Sequence, residues 1–151
     1  MTFNRSRLLV WLTGLVLALS ASMASAAKPG DSFVEKKIVL QISDPNPFKQ
    51  TLVLNVASNL IKAYGQDQVA VEIVAFGPGL RLLFAENANA GRIKALAGAG
   101  VKFAACGNTI KKMTALRDGE APHMNPNAVR VGAGVVRILE LIDQGYVLVK
   151  P

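Results

Sequence analysis

Short, mostly apolar runs take turns along the chain with segments whose apolar positions recur at helical spacing. Lys37 to Ser43 (KIVLQIS) is short, β-branched and mostly apolar, as suits a strand inside a sheet. Asp44-Pro45-Asn46-Pro47 stops it, because each Pro removes a donor and turns its predecessor away from helix. From Phe48 to Tyr64 the apolar positions Leu52, Val56, Leu60 and Ile61 recur at helical spacing, and Gly65 lies just beyond.

The same alternation repeats. Val69 to Phe76 (VAVEIVAF) predicts a second strand carrying one interior charge, Glu72, and Gly77-Pro78-Gly79 ends it. Leu80 to Phe84 suits a short helical turn. Asn89 to Ala97 suits a helix with Ile93, Leu96 and Ala97 inward, closed by Gly98 and Gly100. Val101 to Ala105 is the third predicted strand, Cys106-Gly107-Asn108-Thr109 a turn, and Ile110 to Leu116 a helix with Lys111, Lys112 and Arg117 outside. A polar loop with Pro122 and Pro126 leads to a short strand, Ala128 to Val131. Gly132 to Gln144 is expected to be helical, with Val135, Val136, Leu139 and Ile142 on one side. Tyr146 to Val149 is the last strand. Strands alternating with helices predict an α/β fold: three layers, α/β/α, around a mainly parallel sheet of about five strands.

The start of the chain follows a different pattern. Arg5 and Arg7 precede a run of twelve mostly apolar residues, Leu8 to Leu19, and Ala24-Ser25-Ala26 has the small-x-small form of a cleavage site. This is the layout of a secretory signal. The run is shorter than the roughly 20 apolar residues of a spanning helix, which sets the signal reading above an uncleaved anchor. Residues 1–26 are therefore read as a signal peptide, 27–35 as a leader and 36–151 as one domain. The expected location is the periplasm, with membrane contact only during export. Arg5 and Arg7 are separated by Ser6, so a twin-Arg signal has no support.

Composition narrows the chemistry. With 51% hydrophobic and 18% charged residues the chain is not of the disordered class. One cysteine and one histidine leave no disulfide framework, no thiolate zinc site and no internal CxxC cycle. Removing Arg5 and Arg7 leaves fifteen basic against ten acidic residues, a formal +5. The basic residues form no dense stripe with stacking aromatics, so nucleic acid is not an expected partner. GxGxxG and GxxxxGK[ST] are missing, and no dinucleotide or P-loop cofactor is implied.

In parallel sheets the ligand site lies at the carboxyl ends of the strands. That rule selects Asp44-Pro45-Asn46, Gly77-Pro78-Gly79, Cys106-Gly107-Asn108-Thr109 and Gly132-Ala133-Gly134 as one rim, with Asp44, Asn46, Gly77, Gly79 and Gly132 as its candidate residues beside the Cys106 turn. Cys106 between a strand and a helix start is placed for thiolate chemistry, a persulfide or mixed disulfide, because helix amides stabilise a sulfur anion. Gly107 allows close backbone approach, and Asn108 or Thr109 can cap the helix and bond the anion. The competing reading is a packed, structural thiol. His123, in a Pro-flanked loop seventeen residues on, is a candidate base for the thiol, set against an ordinary surface histidine. Asp44 is either a ligand or a turn former. Gly77-Pro78-Gly79 could offer amides to an anion, although Pro78 has none.

The segments VAVEIVAFGPGLRLL, GVKFAACGNTIKKM and GVVRILELIDQGYVLVKP resemble the DsrE/DsrF-like family, over roughly residues 36–151. The resemblance implies a small α/β protein assembling as a trimer or hexamer. It also implies a sulfur carrier that passes sulfane sulfur between thiol or persulfide donors and acceptors. Cys106 falls at the position of the sulfur-carrying cysteine, and Gly107, Asn108 and Thr109 match the turn after it. No metal, flavin or nucleotide cofactor is needed for such a transfer. The best-understood members act in the cytosol, whereas this chain carries an export pattern. A non-catalytic module binding a small anion or a protein, with Cys106 structural, is the alternative. A redox sensor forming an intermolecular disulfide is a third.

Overall fold

The computed structural model describes residues 34 and 36–151. The signal-peptide and leader expectations otherwise lie outside the described residues. Five strands, β1 (Lys36–Ile42), β2 (Val69–Ala75), β3 (Lys102–Cys106), β4 (Ala128–Val131) and β5 (Val147–Val149), form one sheet in the order β4-β3-β2-β1-β5. All four pairings are parallel. The helices are α1 (Pro47–Tyr64), α2 (Ala90–Gly98), α3 (Gly107–Ala115) and α4 (Gly134–Asp143). Gly77–Leu83 is a 3-10 helix.

β1, β2 and β3 are apolar on both sides because both of their faces are covered. On one face Ile38, Leu40, Val71, Ile73, Phe103 and Ala105 pack against α1, the 3-10 helix, α2 and Ile110 of α3. On the other, Val39, Val74 and Ala104 meet Ile138 and Leu141 of α4. The crossover from β4 to β5 passes from one edge of the sheet to the other, and α4 is that crossover.

Local chemistry explains the boundaries. Asn46 caps α1, its Oδ1 accepting the Phe48 amide at 2.8 Å, and Pro47 occupies the first turn where no donor is needed. Gly65, at φ +84°, ends the helix. Gly79 runs so close to the end of β1 that an added Cβ would lie 2.6 Å from the Ile42 carbonyl oxygen.

Several expectations shift. The inward face of α1 is Gln50, Val53, Leu54 and Ala57, with Leu52 exposed. Helix α3 begins at Gly107 with no intervening turn, because Cys106 is still extended at φ −63°, ψ 113° and serves as the cap position. Helix α4 starts at Gly134, two residues later than expected. Its stripe of Val135, Val136, Leu139 and Ile142 faces outward, while Ile138 and Leu141 turn to the sheet.

Candidate functional site

Parallel strands bring Gly132, Cys106, Gly77 and Asp44 to the same edge, in the order of β4, β3, β2 and β1. Cys106 ends β3. Val131 is its partner across β4, so the loop after β4 returns directly over the sulfur. The first amide of α4, Gly134 N–H, donates to Cys106 Sγ at 3.2 Å. The sulfur thus lies between the starts of two helices, α3 and α4, each presenting amides and the positive end of its dipole.

The approach depends on glycines. A Cβ on Gly134 would lie 3.0 Å from Phe76 Cβ and 3.3 Å from Cys106 Cβ. One on Gly107 would lie 2.7 Å from the Val131 carbonyl oxygen and 3.0 Å from Arg130 Nε. Both helix starts are packed against neighbouring backbone or side chain, and only the missing side chains let them converge.

Thr109 ties in the next strand. Its Oγ1 accepts the Gly77 N–H at 2.9 Å, which leaves its own proton for the thiolate. The Asn108 amide is divided between the Gly132 carbonyl, at 3.2 Å, and the sulfur. Burial by itself pushes the Cys106 thiol up. The Thr109 hydroxyl and the amides of Gly134, Thr109 and Asn108 outweigh it, and the thiol is held below its ordinary value. Cys106 keeps 5% of its exposure, so the sulfur is stabilised as an anion but nearly covered.

The other selected residues divide. Gly132 and Gly77 belong to the surroundings of the sulfur, through the Asn108 and Thr109 bonds. Gly79 does not: its amide goes to the Ser43 carbonyl at 3.1 Å. With Gly77 N–H given to Thr109 and no amide on Pro78, the Gly77-Pro78-Gly79 segment has no cradle for an anion. Neither Asn108 nor Thr109 caps α3. The Asn108 side chain is exposed and Thr109 bonds to Gly77 instead.

Asp44 is two strands from β3, roughly 10 Å at the usual strand spacing. It forms a turn: Oδ1 accepts the Asn46 amide at 2.9 Å and Oδ2 pairs with Lys49 at 3.2 Å. Those two bonds hold its carboxyl below the ordinary value. Asn46 is the α1 cap. His123 is not on the rim. It follows α3, whose nine residues carry the chain about 13 Å from Cys106. There it lines a separate depression with Glu86, Arg117 and Glu120. A Cys106–His123 pair is therefore not formed.

A buried charge completes the picture. Glu72, 3% exposed in the middle of β2, receives Arg137 of α4 in a two-pronged bond, with Nε–Oε1 and Nη2–Oε2 both 2.8 Å. Arg137 also reaches Glu140 at 3.4 Å. Glu72 chiefly stabilises the guanidinium cation, raising its already high value. Burial, then the Glu72 charge, pushes the Tyr146 phenol up. Beside the pair a groove of about 420 Å³ runs over Ala104, Val129 and Val131. Sequence reading marked Glu72 as a lone interior charge but could not supply its partner. It placed Gly134 on the rim at a helix start but did not assign its amide to the Cys106 sulfur. Among the described residues no group of three or more His, Cys, Asp or Glu is placed to hold a metal.

No family model and no curated protein matches the chain. A solved structure of a protein of unknown function from Methanobacterium thermoautotrophicum is similar in fold. It has 23% sequence identity and a TM-score of 0.68, covering 77% of this chain and 99% of the other. That likeness supports the compact α/β architecture and carries no function with it.

Proposed function

We propose that the chain is a DsrE-like sulfur carrier of the exported branch, working in the periplasm with Cys106 as the sulfur-bearing residue. The observation that carries the reading is the sulfur held between two helix starts, with Gly134 N–H at 3.2 Å. The Cys106 thiolate attacks the outer sulfur of a donor persulfide. The donor's S–S bond breaks, its thiolate leaves and takes up a proton, and Cys106 becomes a persulfide. An acceptor thiolate then attacks that outer sulfur and releases the Cys106 thiolate. Sulfur moves without net oxidation, and the amides stabilise the anion before and after transfer. The near-complete cover over Cys106 requires Phe76 or the loop at Gly132–Gly134 to yield before a donor sulfur arrives.

The same burial favours a second reading, a binding or assembly module with Cys106 packed inside. Intact mass after incubation with polysulfide separates the two. The carrier gains whole sulfur atoms in the wild type and none in Cys106→Ser. A packed thiol gains nothing while folded and is labelled only after denaturation. A reducible dimer after diamide treatment would point to a redox sensor.

The carrier is further proposed to act as a homo-oligomer, joined to a second copy through the outer side of α4. Val135, Val136, Leu139 and Ile142 are 54, 51, 55 and 41% exposed on a helix whose sheet side is already apolar. Only the stripe of Arg137, Glu140 and Asp143 is charged, and the apolar arc is broader than the sheet covers, which leaves part of it without a partner in the single chain. With Leu148 of β5, whose partner Val39 belongs to the α4 side of the sheet, the stripe offers on the order of a few hundred Å² of apolar surface. A standard interface of about 800 Å² per partner, some 60% of it apolar, needs that much.

A further inference from the structure

We infer that the Glu72–Arg137 pair is a positioning device for Cys106: it fixes where α4 sits on the sheet, and so where the Gly134 amide meets the sulfur. The inference rests on the carrier reading of that site. Gly134 and Arg137 are three residues apart in α4, so a single turn of helix joins the amide to the guanidinium. The loop before that turn is tied by the Cys106–Val131 pairing and by the Asn108 bond to the Gly132 carbonyl, but these restraints stop short of the helix and leave its axis to be set over the sheet. The sheet side of α4 contributes two large buried side chains, Ile138 and Leu141, and the other four aliphatic residues of the helix face outward. Apolar contact is non-directional and tolerates sliding along the axis. The α4 cap position, Ala133, has no side chain able to anchor the start.

Two parallel bonds of 2.8 Å to a carboxylate in the central part of β2 do not tolerate sliding. Arg137 holds the planar fork, and Glu72 is fixed because its backbone is paired on both sides, to Val39 of β1 and Lys102 of β3. The tolerance at the other end is small. The Gly134–sulfur bond is 3.2 Å, and Phe76 and Cys106 already close around the Gly134 Cα. A buried pair of this kind adds little net stability over a well-packed apolar pair. Its fixed geometry is what an apolar pair lacks.

Charge must be separated from position. The charged groups on the elements around the sulfur are Lys102, Arg130, Lys111, Lys112, Arg81 of the 3-10 helix, Asp143 of α4 and the Glu72–Arg137–Glu140 group. Arg137→Lys keeps the local charge and loses the fork. Glu72→Gln with Arg137→Met removes one charge of each sign and also loses it. The readout is thiolate ultraviolet absorbance against pH, with Cys106→Ser subtracted. Cys106 is the sole cysteine, so the difference belongs to it. Circular dichroism confirms that each variant is folded. The expected result is a titration moved to higher pH in both variants, with the thiolate fraction at neutral pH falling about threefold. Titrations coinciding with the wild type in either folded variant overturn the inference. A wild-type titration at the ordinary thiol value overturns the carrier reading instead, whatever the variants do.

Discussion

At Cys106 two opposing effects meet in one side chain. Burial disfavours the thiolate, and donors from α3, α4 and the Gly77–Thr109 link favour it more. Thr109 is the strongest of these donors, so Thr109→Val is expected to raise the thiol titration while Thr109→Ser preserves it. The sign of the stability effect follows. A thiol held below its unfolded value stabilises the fold fully above that unfolded value, and the contribution disappears as pH falls through the folded one. The stability gap between wild type and Thr109→Val should therefore widen toward alkaline pH in urea titrations. A gap independent of pH would remove Thr109 from the thiolate's environment. The Cys106-Gly107-Asn108-Thr109 run was legible in the sequence because strand-to-helix turns carry their own residue signals. Gly134 and Gly77 were legible as neighbours on the same rim but not as donors, since each is more than two dozen residues away and its amide meets the sulfur or Thr109 only through the sheet.

At the scale of elements, the site is a matter of how closely helix starts approach strand ends. Gly107 lies at the tightest such contact beside Cys106, against the Val131 carbonyl, which is backbone and cannot rotate away. Gly107→Ala is expected to destabilise the protein by about 1–3 kcal/mol in urea unfolding. Gly91→Ala, in α2 with nothing within 4 Å of its added Cβ, should instead stabilise it by up to about 1 kcal/mol. Equal effects would mean that helix propensity, not the approach of β4, governs both positions. Element types and order were readable because short apolar runs bounded by turn residues, and apolar positions recurring about every 3.6 residues, are local properties of the chain. The burial side of α4 was not. The apolar arc of α4 is broader than the face the sheet covers, and its charged stripe of Arg137, Glu140 and Asp143 does not mark the outer side because Arg137 turns in to Glu72, so the crossover from β4 to β5 decides which part of the arc meets the sheet.

For the whole molecule, the outward stripe of α4 and the placement of the sulfur become one question. The helix whose first amide bonds Cys106 also carries the proposed contact with a second copy. Leu139→Lys, at 55% exposure, should leave the single chain folded and shift sedimentation to a smaller species. An unchanged sedimentation profile would move the contact elsewhere. Covering α4 would also restrict the motions that expose Cys106, so dissociated Leu139→Lys should react faster with a small alkylating reagent than the assembled wild type.

By itself the sequence determined the α/β class, the five strands and their carboxyl-end turns, and the lone thiol at a strand end. All of these are written in local periodicity, in turn residues and in a count of cysteines. Tertiary structure alone decided the rest. It set the strand order that puts Gly132 and Gly77 beside Cys106 and leaves Asp44 two strands away. It put His123 beyond the far end of α3, paired Glu72 with Arg137 sixty-five residues on, and brought a second helix start onto the sulfur. The reason is physical: hydrogen bonds and charge act over a few ångströms of space, and distance along the chain says nothing about which groups the sheet will bring that close.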